Sequence, residues 1–206
     1  MSLPDPCHWT LADDHRSSPH RRSDRRTGDT VTTVALFRNM NLGHPGSPTG
    51  EELLTIFGGP QSASIFQTNG TVLLTGPSAR TLLPRGIDRL RAAGYTQPVV
   101  IRTSAEIHQA IEHAAEPDRD RGVYRTMVSF FDVPSVPQVQ IPMQSRDRLV
   151  ELRELEAGVA VSFCWKPGSK AGDVNRFVES LVNASATTRS LGTLRRLLER
   201  VESDSV

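Results

Sequence analysis

The chain has 206 residues, enough for one large domain or two small ones with real cores. Its formal net charge of +1 excludes a global field that would draw in a polyanion, and its 37% hydrophobic and 23% charged residues exclude a wholly unstructured chain. No apolar run approaches the roughly 20 residues of a spanning helix, and no apolar signal core follows the N-terminus, so a cytoplasmic protein without a membrane partner is expected.

Residues 1–30 read as a disordered N-terminal extension. They are polar, aperiodic and unable to bury enough surface to offset their ordering entropy. Val31, read from a GTG codon, is an alternative initiator, in which case the extension is not native. His8, His15 and His20 lie there with Cys7, in a spacing that matches no zinc pattern, and no metal is expected. Two cysteines, Cys7 and Cys164, give no disulfide framework. Cys164 reads as a small buried residue of a strand rather than a catalytic thiol.

Order begins at Val31. Residues 33–38 form an apolar strand, followed by a Gly- and Pro-containing loop from Asn39 to Pro48. Thr49 with Glu52 makes a capping box for a helix bearing Leu53, Ile56 and Phe57, which Gly58-Gly59-Pro60 stops. Strands over 63–68 and 71–75 are joined by Asn69-Gly70, read as a two-residue turn that sets Gln67 opposite Val72. A helix spans 79–93, with Pro84 either opening or kinking it and Gly94 closing it. A strand at 99–102 follows, then a helix capped by Thr103 and Glu106 that ends before Pro117. The strand–helix–strand–strand–helix–strand order is that of a ferredoxin-like unit, which fills a first half over 31–117.

After the polar linker 118–122 the pattern restarts, giving a less regular second ferredoxin-like half over 123–201. A strand runs from Tyr124 to Val133, and Pro134, Pro137 and Pro142 break the next stretch into an irregular edge. A helix is expected over 146–155, a half-buried strand over 159–165, a strongly amphipathic helix after Asp173, and a last helix over 190–201. The fold class is α+β.

Three stations carry a family likeness. They are Arg38, Asn41 and Gly43; Gln67, Asn69 and Gly70; and Thr187-Thr188-Arg189 with Thr193, supported by Pro167-Gly-Ser-Lys170. The chain resembles the bacterial domain-of-unknown-function family 1697, which shows Arg-Gly-Ile-Asn-x-Gly-Gly, Gln-Ser-Gly-Asn and Thr-Thr-Arg-Asn-x-x-Thr at these places. It departs by Asn39 for the first glycine, His44-Pro45 for a glycine and often a lysine, an inverted Asn69-Gly70, and Ser190-Leu191 for an asparagine and an aromatic residue. The resemblance implies a divergent bacterial member and no established activity.

The residues themselves suggest a polar pocket of Arg38, Asn41, Gln67, Asn69 and Arg189 for a small anionic or polar ligand, Arg189 standing before a helix whose free N–H groups favour an anion, with Thr187 or Thr188 as the cap of that helix or as a hydrogen bond to the ligand. The competing reading makes these groups loop ties. His44 is the candidate acid or base of a runner-up, an enzyme acting on a small phosphorylated or carboxylated metabolite. No recognisable catalytic or cofactor motif appears, so whether the chain is an enzyme stays open and no cofactor is expected. His108 and His113 are five apart, not the four that shares a helix face. A protein-interaction or nucleic-acid module is the third reading. The central strand Gly70-Thr-Val-Leu-Leu74 lacks the stacking aromatics of RNA-recognition sheets, and the near-zero charge argues against nucleic acid too. The sequence leaves the oligomeric state open.

Overall fold

The computed structural model describes residues 32–112 and 114–204. The N-terminal extension, Cys7, His8, His15, His20, Val31 and His113 lie outside the described residues. The fold is α+β, with two antiparallel sheets and five helices among the described residues.

The first sheet holds β1 (Thr33–Phe37), β2 (Ala63–Ile65), β3 (Thr71–Leu74) and β4 (Val99–Thr103) in the order β2-β3-β1-β4. Four of the five β1 residues are buried, which a strand sheltered on both faces requires. Helices α1 (Gly50–Ile56) and α2 (Ala79–Ala92) cover one face, where Phe37, Leu53, Phe57, Leu74 and Leu90 pack. The Thr49/Glu52 capping box forms as expected. Pro84 sits inside α2, and Gly94 (φ +94°) follows its end. Thr103 Oγ1 accepts from the Glu106 N–H at 3.1 Å at the start of α3 (Ser104–Glu112), while Glu106 accepts from the Thr103 N–H at 2.6 Å, a second capping box.

The second sheet holds β5 (Arg125–Phe131), β6 (Met143–Gln144), β7 (Val150–Glu156), β8 (Val159–Cys164) and β9 (Ala186–Ser190) in the order β6-β7-β8-β5-β9. Helix α4 (Val174–Val182) covers its outer face through Val174, Val178 and Val182. Helix α5 (Leu191–Ser203) packs on α3, and Leu191, Leu194 and Leu197 enter a core shared by both sheets. Val34, Leu36 and Val100 of the first sheet and Val128, Phe130 and Val161 of the second belong to that same core.

Three local expectations are corrected. Residues 146–155 are not a helix: they lead into β7, which pairs with β8 from Val150↔Cys164 to Glu156↔Val159. The Leu149–Leu152 spacing suits a helix, but Val150 and Leu152 gain burial against α4 only in an extended register, and tertiary pairing overrides the local pattern.

The first hairpin is not closed by a two-residue Asn69-Gly70 turn. Ile65, not Gln67, lies opposite Val72, and the Phe66 N–H donates to Thr71 O at 2.9 Å across a four-residue loop. Gln67 (φ +61°) and Gly70 (φ +68°) hold the left-handed positions. Glycine is needed at 70 for a second reason, since a Cβ there would stand 2.6 Å from Met40 Cβ.

Thr187 and Thr188 do not cap the last helix. They belong to β9, and Ser190 caps α5, its Oγ accepting from the Thr193 N–H at 3.3 Å. A serine directly before an apolar helix is a stronger cap signal than the threonines ahead of it.

Candidate functional site

Arg38 leaves the end of β1 and reaches the second sheet. Its Nε donates to Ala186 O at 3.1 Å, Nη2 to Glu179 Oε2 at 3.0 Å and Nη1 to Gln97 Oε1 at 3.3 Å. Glu179 in turn accepts from the Ala186 N–H at 2.9 Å. Arg189, on β9, reaches the other way. Its Nη2 donates to Phe37 O (3.1 Å) and Asn69 O (2.9 Å), its Nη1 to Thr187 Oγ1 and Thr188 O (both 3.0 Å), and its Nε to Thr71 Oγ1 at 3.4 Å.

A guanidinium has five N–H donors, and all five of Arg189 are used on neutral oxygens of the protein. Burial presses its pKa down to about 10, opposed by Tyr95. The Tyr95 hydroxyl donates to Arg38 O at 2.7 Å, and burial pushes that phenol up, against the lowering effect of Arg189 and the Arg38 carbonyl.

Asn69 joins this knot through its carbonyl, and its Oδ1 accepts from Thr71 Oγ1 at 2.9 Å. Asn41 is exposed; its N–H donates to Ser47 Oγ at 3.2 Å, and its carbonyl accepts from the His44 N–H at 3.1 Å. Gln67 and His44 are exposed. The Leu42 N–H donates to Thr68 O at 2.9 Å, so the loop after β1 and the hairpin loop are tied together. Thus Arg38, Asn69 and Arg189 meet at the junction of the sheets, where both arginines donate to the protein and Asn69 accepts. Neither arginine nor His44 lines any of the three cavities described for this surface.

Arg102 is a third tie. Its guanidinium donates to Asp132 Oδ1 (2.9 Å), Phe131 O (2.7 Å), Gly158 O (3.2 Å) and Ile101 O (2.6 Å), beside a cavity of about 630 Å³. Elsewhere on the second sheet, buried Glu151 accepts from Arg121 (2.8 and 3.2 Å), Arg153 (3.0 Å) and Gln144 (3.1 Å). The Arg121 hydrogen bond, foremost, holds its pKa down to about 2. Cys164 is buried, and burial raises its thiol pKa. Among the described residues no three His, Cys, Asp or Glu side chains group as a metal site.

A different place offers uncommitted cationic groups. A cavity of about 590 Å³ opens between the 116–126 segment and the first turn of α5. Arg119, Arg125, Arg195 and Arg196 line it, with Glu116, Tyr124 and Gly192. Arg195 pairs with Glu116. Arg119, Arg125 and Arg196 have no carboxylate partner among the described residues, and Arg125 lies 4.6 Å from the Tyr124 ring centroid. At Gly192 a Cβ would meet nothing within 4 Å, so the backbone of the first turn is open to the cavity.

None of these arginines stands out in the sequence. Arg119 falls in the polar linker and Arg125 in a strand, and in a chain whose 24 basic residues include only two lysines, Lys166 and Lys170, another arginine carries little signal. The one usable hint was the helix start after Arg189, where unpaired N–H groups favour an anion.

The class defined so far is an α+β protein of two antiparallel sheets with a shared core. It is similar in fold to a solved structure of the conserved bacterial protein SP0830 from Streptococcus pneumoniae, with a TM-score of 0.53 at 12% identity, over 84% of this chain and 99% of that one. No family model and no curated protein matches the chain.

Proposed function

We propose that the protein is a binding module for a small anionic ligand, and that the ligand sits in the cavity at the start of α5. The observation that carries this reading is that four arginines line one cavity, three of them without a carboxylate partner among the described residues. Clustering uncompensated cations costs electrostatic self-repulsion, which a bound anion relieves. Gly192 leaves the backbone of the first turn of α5 open beside the same space, at a helix start that favours an anion. The cavity volume falls in the range of small-molecule sites. The ligand reading of Arg38 and Arg189 is replaced in this proposal by a structural one, because all five donors of Arg189 and three of those of Arg38 already have partners in the protein.

The same proposal covers the architecture and the kinship. We read residues 31–117 and 123–201 as two ferredoxin-like halves; support comes from the matching orders β2-β3-β1-β4 and β7-β8-β5-β9, the second lacking the first crossover helix. We also take the chain for a divergent relative of family 1697, on its three motif stations.

Calorimetric titration of the full chain with inorganic tripolyphosphate tests the site. Wild type binds, and the double substitution R119E/R196E weakens binding by roughly a hundredfold, about 1.5 kcal/mol for each charged contact. G192V folds, having space for its side chain, and also binds more weakly. Unchanged affinity in the folded double variant would remove the site.

A further inference from the structure

We infer that the anion of the α5 cavity is the phosphate chain of a nucleoside polyphosphate, whose base stacks at Tyr124. This rests on the anion reading above and adds the ring. The cavity combines two features that a simple phosphate or carboxylate does not need. The first is charge: four arginines and one glutamate line the cavity, a balance that matches several phosphate charges rather than one.

The second is Tyr124. It lines the cavity and is half-buried, and its hydroxyl has no hydrogen-bond partner among the described residues, whereas the Tyr95 hydroxyl is committed to Arg38 O. Its ring already attracts the Arg125 guanidinium at 4.6 Å and the Lys166 ammonium at 5.4 Å from the centroid. A tyrosine that lines a cavity with four arginines brings a π surface for a base, which would take the place of a cation now against the ring, and cations for its phosphates.

Every base has such a face, so stacking here is tolerant of base identity; Thr126, the neighbouring hydroxyl, is already committed to Ala115 O at 2.7 Å and reads nothing. A single cavity of about 590 Å³ also favours one nucleotide over an extended strand.

The test is calorimetric titration of the full chain with three probes: adenosine triphosphate, inorganic tripolyphosphate and a single-stranded twelve-nucleotide RNA. Wild type is expected to bind adenosine triphosphate roughly tenfold more tightly than tripolyphosphate, the gain a stacked base provides. Y124L loses that advantage while keeping tripolyphosphate affinity, and Y124F keeps it. Equal affinity for the two probes in wild type overturns the nucleotide inference and leaves the anion site standing. The wild-type comparison decides this even if Y124L fails to fold. An advantage that survives in folded Y124L, or an RNA bound more tightly than adenosine triphosphate, also overturns it. Binding of none of the three brings down the anion site as well.

Discussion

At the residue scale the decisive contrast is between arginines that are used up and arginines that are not. Arg189 spends every donor on protein oxygens, among them the Phe37 carbonyl of the opposite sheet and the Asn69 carbonyl of its hairpin loop. Its loss strands buried acceptors, so Arg189→Leu is expected to cost about 2–4 kcal/mol in urea unfolding while leaving tripolyphosphate affinity unaltered. Lost affinity without lost stability would return Arg189 to ligand binding.

Glu151 is the clearest titrating group. Its folded pKa of about 2 lies below its ordinary 4.5, so the unfolded chain takes up the proton first on acidification. The stabilisation is complete above pH 4.5 and fades as pH falls toward 2. Unfolding free energy measured from pH 6 to 2.5 should drop more steeply in wild type than in Glu151→Gln; parallel curves would count against this.

At the scale of elements, helices were read from the chain more faithfully than strand partners. The Thr49–Glu52 box and the Asp173 cap are local arrangements, written in adjacent residues, and both form. The 146–155 segment and the Asn69-Gly70 register depend on what lies across the sheet, which spacing alone does not encode. β9 was hidden for the same reason, its Thr187-Thr188 looking like a cap when its pairing with β5 decides its state. The α5 cavity is less legible still, because residues 116–125 and 190–196 meet only through folding.

Packing can also reverse a local rule. Gly86 lies in α2, where Gly→Ala normally stabilises a helix by about 1 kcal/mol. Here a Cβ would sit 2.2 Å from the buried Phe57 ring. Gly86→Ala is therefore expected to lower stability by about 1–3 kcal/mol, read as a lower melting temperature. A raised melting temperature would show that the α1–α2 contact yields easily.

At the scale of the whole molecule, the two sheets are joined by one core and by three arginines whose donors cross the seam. Val34, Val100, Val128, Phe130 and Leu194 share that core, and Arg38, Arg102 and Arg189 each cap carbonyls on the far side. Leu191, which lines the cavity at the start of α5, belongs to that same core. No helix of the described residues is long and apolar enough to cross a membrane.

The assignment of roles to the two arginine groups is tested most directly by amide chemical-shift mapping of the isotope-labelled chain during titration with tripolyphosphate. The account predicts saturable shifts confined to residues 116–126 and 190–196, largest at Gly192. Shifts centred instead on residues 38–44 and 67–70 would contradict it.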